Sequence, residues 1–227
     1  MSDINNFFDK IYVINLDSRK DRYEECLVEF KKHDLIVERV SAIDGISTFK
    51  KGINRNAGNH GLILTNIKII EDAIKNKYTK ILILEDDVMF VNNLNLIFKE
   101  KIFFMPNDWD LLYLGGSHLF NKGMFNCLSN EINFKIDGDT YKLLNNDLCS
   151  TTWTQTTHAV GINCVMFETL LHHMKTKALP IDIIYCELQQ SGFGVYTFLP
   201  SIALQRPSFS DIEKQYVDYN TNKRWTF

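Results

Sequence analysis

The stretch Lys80-Ile-Leu-Ile-Leu-Glu-Asp-Asp-Val-Met89 indicates how this chain folds. Residues 81–84 form an uninterrupted apolar run, which is typical of a short strand buried on both faces in a sheet packed between helices. The run ends at three adjacent acids, Glu85, Asp86 and Asp87. Because open α/β sheets bind ligands beyond the carboxyl ends of their strands, these acids are candidate ligands of a divalent cation or of another polar group. The alternative is a helix N-terminus, where acids also collect.

Strand and helix patterns alternate on both sides of this stretch. Residues 11–14, 20–32 and 35–40 predict a strand, a helix and a second, parallel strand. Apolar residues at helical spacing predict a helix over residues 60–76 that leads into the central strand. Further helices are predicted near residues 94–102, 166–175 and 182–188, and further strands at 109–114, 157–163 and 194–198. The pattern predicts an α/β fold with a mixed, mostly parallel sheet flanked by helices.

Two later segments carry weaker patterns. Asp137-Gly138, between two short apolar stretches, is a hairpin signal. The tail from Pro200 has no periodic pattern, and we expect it to be a loop.

Composition excludes several classes of function. The net charge is -3 and 45% of residues are hydrophobic, so nucleic-acid binding has no electrostatic support. The five cysteines form no C-x-x-C pair, which argues against a zinc ribbon. Neither a signal-peptide pattern nor an apolar run of about 20 residues is present, and we expect a cytoplasmic protein, with peripheral membrane attachment left open. The P-loop, dinucleotide-binding, H-E-x-x-H and G-x-S-x-G motifs are also absent.

Two arginines follow the first strand. Arg19 and Arg22 lie in the first turn of the predicted helix, at the same sheet edge as the acids. Guanidinium groups suit phosphate or diphosphate. The alternative is a solvated helix face.

Several motifs together carry a resemblance to a known family. In order along the chain they are Tyr12-Val-Ile-Asn-Leu-Asp-Ser-Arg-Lys-Asp-Arg22, Ser41-Ala-Ile-Asp-Gly45, Gly58-Asn-His-Gly-Leu-Ile-Leu-Thr-Asn66, Leu82-Ile-Leu-Glu-Asp-Asp-Val88, Trp109-Asp-Leu-Leu-Tyr-Leu-Gly115, Thr157-His-Ala159, Pro180-Ile-Asp182 and Ser210-Asp-Ile212. This ordered set, spanning roughly residues 11–212, resembles glycosyltransferase family 25, the lipopolysaccharide-type and collagen galactosyltransferase family.

The resemblance implies a GT-A-type Rossmann-like sandwich that forms one domain over residues 1–227. Residues 1–114 would form the nucleotide-sugar half and residues 115–227 the acceptor half. It implies transfer of galactose or glucose from a UDP-sugar, with Mn²⁺ or Mg²⁺, to a hydroxyl of a glycan or of a hydroxylated peptide side chain. By the same resemblance, Asp87 is the most direct metal ligand, Glu85 and Asp86 hold the ribose side or a metal-bound water, and the uridine diphosphate is surrounded by Asn15, Arg19, Arg22, Ala42 and Asp44.

An inverting transfer needs a carboxylate that takes the proton of the acceptor hydroxyl. Asp182, which follows Pro180 at a predicted helix start, is the first candidate, and Asp211 is the second. The alternative for Asp182 is a helix N-cap. A retaining transfer would need no such base.

The chain departs from the family pattern in three places. Leu62 and Thr65-Asn66 replace the usual Cys and Ser-His, and Gln205 stands near the place of a histidine that can complete the metal shell in relatives. Glutamine, a neutral oxygen donor, is a weaker ligand, so Gln205 is a candidate metal ligand of reduced strength, with Asp87 and Glu85. These departures leave two alternatives open: an inactive nucleotide-sugar or glycan-binding module, and another metal-dependent nucleotide enzyme.

Overall fold

A computed structural model of the chain describes residues 3–47, 56–118, 123–127, 132–136, 140–212 and 214–218. Its helices are α1 Ile4–Phe7, α2 Lys20–Lys32, α3 Ala57–Asn76, α4 Leu94–Ile102, α5 Phe167–Thr176 and α6 Ile181–Gln190, with short 3-10 turns at Gly45–Ser47 and Cys164–Met166. Its strands are β1 Lys10–Asn15, β2 Glu38–Ser41, β3 Lys80–Glu85, β4 Val88–Phe90, β5 Leu111–Tyr113, β6 Ser117–His118, β7 Gly123–Cys127, β8 Ile132–Ile136, β9 Tyr141–Leu143, β10 Leu148–Thr151, β11 Thr154–Gln155, β12 Ala159–Asn163, β13 Val195–Phe198, β14 Ala203–Gln205, β15 Ser208–Ser210 and β16 Gln215–Val217.

An eight-stranded sheet in the order β2-β1-β3-β12-β5-β13-β10-β9 forms the centre of the molecule. Strands β1, β2 and β3 are parallel, and β5 and β13 are parallel. Only β12 and β10 run against the other strands of this sheet. The predicted mixed, mostly parallel sheet is therefore confirmed, as is the parallel strand–helix–strand unit β1-α2-β2.

Strand β3 is buried on both faces, as its unbroken apolar run predicts. Ile81 and Ile83 pack into one hydrophobic core with residues of α3, α5 and α6. Leu82 and Leu84 point the other way and pack with residues of α1, α2 and α4. Burying each such side chain contributes about 1.5–3 kcal/mol. The fold is thus a sheet between two helical layers, the predicted Rossmann-like sandwich.

The ends of the helices follow local chemistry. The Asn56 side chain accepts a hydrogen bond from the backbone N–H of Asn59 (2.8 Å) and caps α3 at its start. Lys77, in the left-handed conformation (φ 58°), ends the same helix. Pro180 precedes α6 at the cap position, where its missing N–H costs no helical hydrogen bond.

Two weaker predictions need correction. The tail from Pro200 is not simply a loop, because β14 pairs with β4, and β15 pairs with β16. Strands of three residues carry too little periodicity to be seen in the sequence. The predicted hairpin turn at Asp137-Gly138 lies outside the described residues, but the strands on either side of it pair elsewhere, β8 with β7 and β9 with β10.

Among the helices of the described part, none is both long and apolar enough to cross a bilayer. The cytoplasmic location stays a prediction.

Candidate active site

The carboxyl ends of β1, β2 and β3 meet at one edge of the sheet. In register, Asn15 lies opposite Ser41, and Ile14 lies opposite Glu85. The antiparallel β12 begins at the same edge, where the N–H of Glu85 donates to the carbonyl of His158 (3.0 Å). The chain then turns at Asp86 and Asp87 into β4, so the acids lie where ligands of α/β sheets bind.

Asp86 is held by two partners at this edge. One carboxylate oxygen accepts from the amide of Asn15 (2.7 Å), and the other pairs with Arg22 (2.7 Å). Burial raises the pKa of Asp86 to about 6, although Arg22 and the Asn15 hydrogen bond oppose that rise. Asn15 and Asp86, 71 residues apart in sequence, are thus brought into direct contact.

Arg22 also pairs with Asp87 (2.9 Å), so one guanidinium joins both aspartates. Arg22 is 8% exposed, and this ion-pair cluster is buried. Arg19 lies at the rim, where it pairs with Asp21 and with Asp211. Both predicted phosphate-binding arginines therefore pair with carboxylates, and their role toward phosphate stays a prediction.

Glu85 has a hydrogen-bond partner of its own at this edge. It accepts a hydrogen bond from the hydroxyl of Thr157 (2.8 Å). Burial raises the pKa of Glu85 to about 8, and the neighbouring charges of Asp87 and Asp182 add to the rise. Asp182 lies in the first turn of α6 and acts electrostatically on Glu85, so the structure brings the proposed base to the acidic edge. The cap of α6 is Pro180, so the N-cap alternative for Asp182 is wrong.

The pairing of β4 with β14 brings together the segments that contain Asp87 and Gln205. Gln205 is opposite Val88, and the N–H of Arg206 donates to the carbonyl of Asp87 (2.6 Å). The Oδ1 atom of Asp87 is buried and accepts no hydrogen bond. His158 lies close enough for the charge of Asp87 to act on it, but burial dominates and lowers the pKa of its imidazole.

The predicted uridine-side residues lie at the end of β2. The N–H of Ala42 donates to the carbonyl of Asn15 (2.9 Å), and exposed Asp44 accepts from the N–H of Ile46 (3.0 Å). Thr65 of α3, one of the departures from the family pattern, accepts from the N–H of Ile43 (2.9 Å). Thr65 thus ties this segment to α3.

Asp211, the second candidate base, lies close to the start of α2. Its carboxylate contacts Arg19 and is 3.9 Å from Arg22. It is therefore engaged in ion pairs at the rim, whereas Asp182, on α6, is close enough for its charge to raise the pKa of Glu85.

The oxygen donors at this sheet edge determine whether a divalent cation could bind here. Within the described ranges, no group of three or more His, Cys, Asp or Glu side chains is arranged to hold a metal. Mg²⁺-like cations, however, are commonly held by one or two carboxylates together with substrate phosphates. The buried, unpartnered Oδ1 of Asp87, with Glu85 and Asp182 nearby, fits that mode. Asp87 would hold the cation, and the role of Gln205 as a neutral oxygen ligand stays a prediction.

Sequence reasoning gave no role to two residues of this edge. Thr157 binds Glu85, and buried His158 contacts the carbonyl of Ala203 through Nε2 (3.3 Å) and the hydroxyl of Thr156 through Nδ1 (3.2 Å). The available signal was that both residues fall within the strand predicted for residues 157–163. The sequence did not show that this strand lies antiparallel beside β3.

The chain is similar to known proteins over part of its length. No family model matches the chain. Procollagen galactosyltransferase 2 from Homo sapiens is 30% identical over 133 residues, which cover 48% of this chain and 21% of that protein. Its Mus musculus counterpart is 26% identical over 156 residues, 56% of this chain and 24% of that protein. About half of the chain is therefore similar in sequence to part of these galactosyltransferases.

One relative in this family is named as inactive. The Homo sapiens protein "Inactive glycosyltransferase 25 family member 3" is 26% identical over 133 residues, 48% of this chain and 22% of that protein. The matched regions span less than a quarter of each of these family 25 relatives, so the likeness concerns one part of larger proteins.

Two solved structures are similar at a lower level. A crystal structure of a protein from STIV has a TM-score of 0.42 at 11% identity, covering 82% of this chain and 79% of that one. A glycosyltransferase involved in the glycosylation of the major capsid of PBCV-1 has a TM-score of 0.40 at 10% identity, covering 73% and 65%.

Proposed function

We propose that this chain is a glycosyltransferase that moves a hexose, galactose or glucose, from a UDP-sugar to a hydroxyl of a glycan or of a hydroxylated peptide side chain. Its relation to family 25 supports the reaction class. One observation supports assigning this function to the sheet edge. The sheet edge holds a buried cluster in which Asp87 Oδ1 accepts no hydrogen bond. An oxygen in that state suits a cation that a donor diphosphate would share.

In this proposal Mn²⁺ or Mg²⁺, when bound, neutralises charge on the departing diphosphate. The chain's part is to hold Asp87 in place. Arg22 binds the other oxygen of Asp87 and leaves Oδ1 without a hydrogen bond, so that Oδ1 is the oxygen that would bind the cation. Because Arg22 is buried between two carboxylates, the rim residue Arg19 is the better placed arginine for a donor phosphate. Asn15, Ala42 and Asp44 would surround the uridine, and Asp86 and Glu85 the ribose side.

Asp182 would take the proton of the acceptor hydroxyl in an inverting transfer. Glu85 is the nearby rival, but its buried carboxylate already accepts a hydrogen bond from Thr157, and burial raises its pKa, which favours the protonated form. Asp211 is engaged with Arg19, which makes it the poorer candidate.

The test combines binding and turnover. The purified chain is titrated by calorimetry with UDP-galactose and UDP-glucose, with Mn²⁺ or with chelator, and transfer to added acceptors is measured. Asp87→Ala should abolish Mn²⁺-dependent binding. Asp182→Asn should keep binding and lose transfer by about 10²–10⁴-fold. Asp34→Asn is the control, since Asp34 has a positive φ (53°) that Asn tolerates and lies just past the far end of α2.

Each outcome separates the candidates. Normal transfer by Asp182→Asn would remove the base assignment alone. Binding of the donor without transfer to any acceptor would favour the second candidate, a nucleotide-sugar-binding module, which the relative named as inactive supports. No binding of either UDP-sugar would refute the proposed function.

A further inference from the structure

Arg39 lies outside the candidate site but is joined to it by hydrogen bonds. It is in β2, in register with Val13 of β1, two residues before Asn15. Its Nε donates to Asn15 Oδ1 (2.9 Å), and one terminal nitrogen reaches the carbonyl of Asn15 (3.4 Å) and Asp17 (2.6 Å). The guanidinium carbon also lies 5.2 Å from the ring centroid of Tyr23. The planar fork of Arg39 is therefore fixed by several partners.

These contacts set the orientation of the Asn15 amide. Asn15 is 1% exposed, so its amide is surrounded by protein. Because Oδ1 accepts from Arg39, Nδ2 must point the other way, where it donates to the carbonyl of Arg19 (2.9 Å) and to Asp86 (2.7 Å). An amide turned over would place Oδ1 against the carboxylate of Asp86, two acceptors with no hydrogen between them.

The fixed orientation of the Asn15 amide in turn affects the orientation of Asp87, the candidate cation ligand. Asn15 holds one oxygen of Asp86, and Arg22 holds the other. The same guanidinium nitrogen of Arg22 holds Oδ2 of Asp87 and leaves Oδ1 for a ligand. Each link is 2.7–2.9 Å long.

We propose that Arg39 is a positioning residue of this site: by fixing the Asn15 amide it holds Asp86 and, through Arg22, Asp87 in the orientation that binds the cation. The inference rests on the proposed function. Arg39 itself touches neither donor nor cation. Residues that hold metal ligands in place by hydrogen bonds typically contribute 10–100-fold to metal affinity.

Simple electrostatics predicts the opposite sign, which makes the test sharp. Removing a positive charge near a cation site should by Coulomb attraction strengthen cation binding. Loss of positioning should weaken it. A purely structural surface pair, such as Arg39–Asp17 with side chains 28% and 71% exposed, should change stability by less than about 1 kcal/mol and leave cation affinity unchanged.

The experiment measures binding of Mn²⁺ alone to the whole chain, with free Mn²⁺ followed by electron paramagnetic resonance. Arg39→Met removes the donors and the charge. Arg39→Lys keeps the charge, but its ammonium group cannot make the two hydrogen bonds to Asn15 and Asp17 that the planar guanidinium makes. Lys10→Met is the matched control, since Lys10 pairs with Glu38 in the same two strands, about 17 Å from Asn15. Melting temperatures are recorded for all variants.

We expect both Arg39 variants to raise the Kd for Mn²⁺ by 10-fold or more, with Lys10→Met like the wild type. Unchanged or tighter binding by Arg39→Met, or wild-type binding by Arg39→Lys, would overturn the positioning role while leaving the proposed function intact. If Arg39→Met does not fold, Arg39→Lys alone decides. Absence of Mn²⁺ binding by the wild type would overturn the proposed cation site and this inference with it.

Discussion

Replacement of Arg22 by Met tests the buried cluster directly. Arg22 joins Asp86 (2.7 Å) and Asp87 (2.9 Å), whose side chains are 11% and 10% exposed. Methionine keeps an unbranched apolar stem but removes the cation, so two buried carboxylates lose their shared partner. Removing one member of a buried ion pair costs about 3–5 kcal/mol. We expect the metal-free chain to lose about that much unfolding free energy near pH 8 and roughly 10 °C in Tm.

The loss should depend on pH in a defined direction. Burial already raises the pKa of Asp86 to about 6, and Arg22 opposes that rise. Without Arg22 the pKa rises further, so the folded state binds a proton that the unfolded state releases more readily. Protonation then stabilises the folded variant, and the destabilisation should be smaller at about pH 5 than at about pH 8.

Urea unfolding followed by circular dichroism, with chelator present, measures both effects. Lys175→Met is the control, because its pairing with Glu71 is exposed (50% and 53%) and should contribute less than about 1 kcal/mol. A loss in Arg22→Met no larger than in the control, or one equal at both pH values, would refute the reasoning that the cluster is a buried, mutually dependent charge network.

Two further predictions follow from contacts of other groups. Gly61→Ala should lower the free energy of unfolding by about 1–3 kcal/mol or more, because a Cβ there would lie 2.1 Å from the carbonyl oxygen of Ile43. Gly58→Ala is the control and should lose less, because the nearest atom to its Cβ is 3.1 Å away. Thermal unfolding compares the two variants, and equal losses would contradict this reasoning. The metal-free wild type should lose stability as pH rises from about 5 to about 8, because the folded-state pKa of Glu85 is raised from 4.5 to about 8 and folding then favours the proton. Glu85→Gln should flatten that pH profile of Tm; a profile as steep as the wild type's would show that another group causes it.

Long, periodic segments were predictable from the sequence. Helix α2 begins and ends at the predicted residues, Lys20 and Lys32, and β3 has the two buried faces that its apolar run indicates. The short strands β14, β15 and β16 could not be predicted, because a segment of three residues forms a strand only when it pairs with another segment.

Which residues meet at this sheet edge was predictable, but their contacts were not. Parallel strands end at a common edge, so Asn15 and the acids of β3 could be placed together from sequence. Nothing in the sequence shows that Asp86 faces Asn15 and Arg22 while Glu85 faces Thr157. Those choices depend on the path of a turn and on an antiparallel neighbour strand.

By itself, then, the sequence determined the buried central strand, the acids at its carboxyl end and the alternation of strands with helices, because these follow from local hydrophobic period and chain direction. Only the tertiary structure decided which carboxylate is paired, which keeps a buried oxygen without a hydrogen bond, and that the charge of Asp182 acts on Glu85. Burial and the pairing of side chains set these properties, and both arise only when segments far apart in the chain meet.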